Sequence, residues 1–126
     1  MASFKKLYDQ ASALAKPREL THNSEFGDVG ASLLAGNGKQ YSGASLDGAC
    51  GIGTCAEHAA ILDMLKEGES KIIEVVAVND KEAVLPPCGR CRELMMQVNK
   101  DNSDTLVHLP NNDAKKLGDI FSNYWF

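Results

Sequence analysis

Lys71-Ile72-Ile73-Glu74-Val75-Val76-Ala77-Val78-Asn79 is the stretch on which the fold turns. Its apolar run hardly alternates, the pattern of a strand buried on both faces. Such a strand needs cover on either side, and the flanking segments supply it. Upstream, Thr54 is positioned to cap a helix that carries Cys55, Glu57, Ala59, Ala60, Ile61, Met64 and Leu65, with Gly68 ending it. Downstream, Pro86-Pro87 introduces a helix over residues 89–98, then a short strand over 105–109 and a last helix from Asp113 to about Phe121. Toward the N-terminus, Gly36-Asn37-Gly38 marks a hairpin between strands at 29–34 and 39–44. Phe4, Leu7, Tyr8, Ala11, Leu14 and Ala15 recur at helical spacing over residues 3–16, and Pro17 stops them. Residues 17–27 and 45–53 read as loops. Helix, hairpin, then alternating helix and strand predict a mixed sheet with helices on its faces.

The chain has 126 residues, 44% apolar and 24% charged, which fits one domain spanning residues 1–126. Its formal net charge is -4. That balance argues against tight binding to a nucleic-acid backbone, which needs a basic patch to displace counterions, so nucleic acid is not the expected partner. A small neutral molecule suits it better. No apolar stretch reaches the roughly 18 residues of a membrane span, and the N-terminus lacks a signal-peptide core, so the expected location is cytoplasmic and no membrane partner is expected. In that reducing compartment, four cysteines in a short chain point to metal or catalysis rather than to disulfides.

Two segments carry the chemistry. Thr54-Cys55-Ala56-Glu57-His58 and Pro87-Cys88-Gly89-Arg90-Cys91-Arg92-Glu93 both stand at predicted helix starts. A Cys-x-x-Cys pair on a helix N-terminus brings two sulfurs to one metal ion, and the helix dipole favours the thiolates. Cys55 can supply a third sulfur. Three protein ligands leave a fourth position open, as in a catalytic zinc site. Glu57, two residues after Cys55, can lie near the metal without ligating it and carry protons between water and substrate. The plainer readings are a structural zinc knuckle or a redox pair, and Cys50 stands close enough in sequence to compete as a ligand or to be a small buried residue.

On Cys55-Ala56-Glu57, Pro87-Cys88-Gly89-Arg90-Cys91-Arg92-Glu93 and Val29-Gly30-Ala31-Ser32-Leu33, the chain resembles the cytidine deaminases and, more loosely, blasticidin S deaminase. The resemblance implies a three-layer α/β/α sandwich with a mixed, roughly five-stranded sheet. It also implies a homotetramer of the three-cysteine branch, with Zn²⁺ on Cys55, Cys88 and Cys91. Glu57 is then the catalytic proton carrier, and a cytosine nucleoside loses its amino group to water in pyrimidine salvage. The main chain of Thr54 and Ala56 is expected to read the base edge, while Phe26, Ser45 and Asp47 fall at substrate-binding positions. Ser45 and Asp47 stand where relatives carry Asn and Glu, and Phe26-Gly27-Asp28-Val29 has one residue more than the family pattern. Those departures leave room for a cytosine nucleoside analogue such as blasticidin S, or for a non-catalytic zinc-binding module. Where many relatives place Arg after the catalytic Glu, this chain has His58, so His58 and Arg92 are expected to offset the charge of three thiolates. The C-terminal Tyr124, Trp125 and Phe126 either pack on their own core or cover a pocket. Arg90 is a solvated residue or a substrate or subunit contact, Glu93 a helix-surface residue, and His22 and His108 ordinary histidines.

Overall fold

In the computed structural model, which describes residues 2–125, one mixed sheet carries the molecule. Helix α1 (Ala2–Leu14) leads into strands β1 (Arg18–Thr21), β2 (Ser24–Ala35) and β3 (Gln40–Gly48). A 3-10 turn at Ala49–Gly51 and the short strand β4 (Gly53–Thr54) precede helix α2 (Ala56–Lys66). Strand β5 (Ile72–Asn79), strand β6 (Val84–Leu85) and helix α3 (Gly89–Val98) follow. A second 3-10 turn at Lys100–Asp104 leads to β7 (Leu106–Leu109), β8 (Asp113–Lys116) and a one-turn helix, α4 (Leu117–Ile120). The strand order is β4-β3-β2-β5-β7-β8, with β1 pairing β2 and β6 pairing β5.

The decisive stretch behaves as its composition requires. Strand β5 lies between antiparallel β2 and parallel β7. Val76 and Val78 pack under Leu7 and Ala11 of α1, and Val75 packs with Ile61, Met64, Met95 and Met96 of α2 and α3 on the other face. These layers give the expected α/β/α arrangement. Gly43 sets how closely α2 lies on β3: a Cβ there would come within 2.6 Å of Ala59 Cβ and 2.7 Å of Ala60 N. The absence of a side chain thus fixes the height of the helix whose first turn builds the site.

Several sequence expectations need correction. The sheet has eight strands rather than about five. Residues 17–27 and 45–53 are not loops. Strand β1 and the first half of β2 form an antiparallel pair there, and β3 runs on to Gly48 with Glu25 opposite Asp47 and Phe26 opposite Leu46. Strand β1 is exposed throughout, so no apolar alternation betrays it. The expected last helix is mostly strand. Left-handed backbone at Asn111 and Asn112 reverses the chain, β8 pairs with β7, and only Leu117–Ile120 is helical. The cap of α2 is Cys55, one residue beyond the expected Thr54.

Asn102 joins the second helical layer to the sheet. It is fully buried; its Oδ1 accepts from the Ile72 amide at 2.8 Å, and its Nδ2 donates to Met95 O at 2.9 Å and Ser70 O at 3.0 Å. Asn102→Ala takes this partner from two buried main-chain groups, Ile72 N and Met95 O, and from the half-buried Ser70 O. It is expected to cost about 3 kcal/mol of stability, read as a lower midpoint in urea, because each stranded group bears its full desolvation penalty. A midpoint unchanged from the parent would refute that role.

Candidate active site

Cys55 and Cys88 are the N-cap residues of α2 and α3, and neither uses its side chain to cap. Both thiols are therefore left for another partner. Cys91 follows on the first turn of α3 and is fully buried. The three sulfurs lie within 4.8 Å of one another, with Cys55 and Cys88 at 3.7 Å. Tetrahedral zinc with Zn–S bonds of about 2.3 Å sets its sulfurs about 3.8 Å apart, so the donor set fits that ion. Cys50 is exposed, at a left-handed φ of 61°, and lies outside the cluster.

The electrostatics ask for a cation at the same place. Burial, then the charges of Glu57 and the other two sulfurs, drives the Cys91 thiol far above its ordinary value. Burial, and next the hydrogen bond with Cys88, also raises Cys55. Cys88 suffers the same burial, but the amides of Cys91 and Arg90 and the neighbouring thiols hold it below its ordinary value. Ionising all three sulfurs together is costly unless a positive ion sits among them.

Glu57, on the first turn of α2, is only 6% exposed. Burial raises its carboxyl, and its own backbone amide draws it part of the way back. It shares a pocket of about 510 Å³ with Cys55 and Cys88. Val29, Ala77, Leu85 and Pro86 give that pocket apolar walls, while Asp28, Asp47 and the exposed Arg90 bring charge to it. The volume suits a small organic ligand, with a few polar groups set in an apolar lining.

The other expected residues divide. Thr54, Ala56, Ser45 and Asp47 all line this pocket. The Ser45 hydroxyl accepts from the Val29 amide at 3.0 Å, so it also fastens the pocket wall. Phe26 is not among the lining residues; its ring lies 5.4 Å from the Arg18 guanidinium, on a strand whose register breaks between Phe26 and Gly30. His58 keeps its Nδ1 buried and without a hydrogen-bond partner among the described residues. Arg92 donates through Nε to Pro87 O and through Nη1 to Ile120 O, each at 2.9 Å. Its guanidinium thus ties the turn before Cys88 to the end of α4.

At the C-terminus, the Trp125 amide donates to Glu93 at 2.9 Å, and the Phe121 and Tyr124 rings stand 6.3 Å apart. Trp125 is 86% exposed, and neither it nor Tyr124 lines the pocket of its own chain. Phe126 lies outside the described residues. Glu93 is therefore a tail contact. His108 is buried against Glu74 at 2.8 Å, and His22 is exposed. Asp28 also lines the pocket, although no motif marks it. Its one signal was the additional residue in Phe26-Gly27-Asp28-Val29.

Residues 1–104 match the family described as the cytidine and deoxycytidylate deaminase zinc-binding region. The chain is similar to the cytidine deaminase of Halalkalibacterium halodurans, 36% identical over 84 residues, or 66% of this chain and 62% of that protein. It is 29% identical to the cytidine deaminase of Mycobacterium tuberculosis over 93 residues, covering 73% of this chain and 68% of that protein. The crystal structure of a mutant M. tuberculosis cytidine deaminase superposes with a TM-score of 0.81 at 25% identity, covering 98% of this chain and 94% of the other. The match thus spans less than two thirds of the length of the H. halodurans relative.

Proposed function

The chain belongs to the cytidine and deoxycytidylate deaminase family, and on that footing we propose that it hydrolyses the amino group from a cytosine nucleoside. Cytidine or deoxycytidine plus water would give the uridine product plus ammonia. One observation carries the reading: a buried carboxylate, Glu57, shares a pocket with Cys55 and Cys88 of the three-thiol cluster. A structural zinc site has no use for an unligated carboxylate at that place.

Zinc is the ion of the matched family region; Cys55, Cys88 and Cys91 would hold it here, and it would supply the Lewis acidity that makes water a nucleophile near neutral pH. The protein's own groups do the rest. Val29, Ala77, Leu85 and Pro86 hold a flat base and keep bulk water from it. The main chain of Thr54 and Ala56, at the mouth of α2, reads the base edge. The Glu57 carboxylate takes a proton from the attacking water and delivers it to the ring nitrogen beside the reacting carbon, then takes the remaining proton from the newly bonded hydroxyl and passes it to the departing amino group. One water is consumed, one C–N bond breaks, and ammonia leaves.

The same proposal places the protein in pyrimidine salvage as a cytoplasmic homotetramer of single-domain chains. None of its four cysteines pairs in a disulfide, which suits a reducing compartment. Ile52, Leu62 and Ile73 expose apolar surface that subunit contacts would cover. Among the described residues, no helix is long and apolar enough to cross a membrane. Turnover of a nucleoside analogue is a second reading, favoured by Ser45 and Asp28 at the pocket, where Ser45 is committed to Val29.

The test is ammonia release and loss of ultraviolet absorbance with the zinc-loaded protein, run on cytidine, deoxycytidine and blasticidin S. Turnover of either nucleoside is expected. Zinc-loaded protein that releases ammonia from none of the three would sink the reading.

A further inference from the structure

At the pocket's rim, a bulge in β2 does something that the family motif does not require. The pairing of β2 with β3 lapses between Phe26 and Gly30. Gly27 takes a left-handed φ of 95° and fits so closely behind the bulge that a Cβ would stand 2.6 Å from Lys16 O. On the other side, the Val29 amide is held by Ser45 Oγ at 3.0 Å. Fixed between those contacts, Asp28 joins the lining of the pocket, where Asp47 of β3 already stands.

The two carboxyls belong to the same pocket lining. A hydrogen bond with Asp28, then burial, then the charge of Asp28 raise the Asp47 carboxyl above its ordinary range. The reacting end of the pocket is the buried one, at Glu57, whereas Asp47 and Arg90 are exposed and Asp28 half-buried. A base seated against Glu57 therefore turns its N1 substituent toward the two aspartates. Across the whole lining, Asp28, Asp47 and Glu57 stand against Arg90 as the lone basic side chain.

We infer that Asp28 is a specificity-determining residue of this pocket: with Asp47 it makes the rim anionic, admitting a base whose N1 substituent is neutral or cationic and rejecting one that carries a phosphate. The inference rests on the proposed deamination and sharpens it, because the matched family takes its name from both a nucleoside and a nucleotide. The physical ground is simple. A phosphate brought to two carboxylates is repelled, and Arg90 offsets only part of that. An ammonium group instead gains both carboxylates as partners. Hydroxyl groups of an unmodified sugar lie between, since carboxylates accept from them without a charge penalty.

The test measures binding of three reaction products, which are not turned over, to the zinc-loaded protein by calorimetry. These are uridine, its 5′-monophosphate, and 5′-amino-5′-deoxyuridine. The parent should bind the amino compound most tightly and the monophosphate most weakly, each step by about tenfold at low salt. Asp28→Asn, which keeps the shape of the side chain, should shrink both ratios to about unity, and Asp47→Asn should shift them the same way. Raising the salt should compress the parent's ratios and leave those of Asp28→Asn nearly unchanged, which a merely structural role for Asp28 would not produce. A parent that binds the monophosphate as well as uridine, or an Asp28→Asn protein with the parent's ratios, would overturn the inference. Absence of uridine binding together with absence of cytidine turnover would instead strike the proposed function.

Discussion

Glu57→Gln is expected to lower kcat for cytidine by on the order of a thousandfold while zinc content and melting temperature stay close to the parent's. The size follows from how many proton movements pass through one group. Hydrolytic deamination takes both protons of one water in turn, the first for the ring nitrogen and the second for the leaving amine, and Glu57 is the carboxyl that faces the pocket beside Cys55 and Cys88. Glutamine keeps the volume and can still form hydrogen bonds, but it cannot accept and return a proton. Glu57 is not one of the three sulfur ligands, so the metal should remain. Because its side chain is buried, solvent has poor access to replace it. Stopped assays of cytidine loss, zinc by mass spectrometry and thermal melts on the same sample separate these effects. A variant that keeps more than about a tenth of the parent's kcat would show that the protons travel another way.

Cys91→Ser is the second large effect. Zinc should fall from one per chain to nearly none, activity should vanish with it, and the melting temperature should drop by on the order of ten degrees. A serine hydroxyl does not ionise near neutral pH, so only Cys55 and Cys88 would remain as thiolate ligands. Cys91 also packs in the main core with Ile61, Met64, Met95 and Met96, and its replacement puts an unpaired hydroxyl there. Stripping the parent with a chelator separates the two contributions, since it removes the ion and leaves the core intact. Cys50→Ser serves as the control and should change neither zinc content nor turnover, because Cys50 lies outside the cluster. If Cys91→Ser retained a full complement of zinc, the three-sulfur assignment would fail.

The pattern of the chain by itself determined the parts that depend on local chemistry. The buried run at 71–79, the glycine-rich hairpin at 36–38, and the two cysteine segments at helix starts needed no partner to be legible. Helical spacing and the preference of thiolates for helix N-termini act over a few residues, so they leave a readable trace. From these came the layered fold, the three candidate ligands and Glu57. Tertiary structure decided whatever depends on two distant segments meeting. Strands β1 and β8 are wholly exposed and mostly polar, and only pairing with β2 and β7 makes them strands. Asn102 looks like an ordinary polar residue until residues 70, 72 and 95 converge on it. Arg92, expected to offset the charge of the thiolates, donates to two carbonyls that the sequence keeps 33 residues apart, Pro87 and Ile120. Asp28 joins the pocket that Asp47 lines beside a bulge, a close-packed glycine and a serine hydroxyl from the next strand. Backbone pairing and close packing satisfy groups that are far apart in the chain, and no local pattern records which partner they will find.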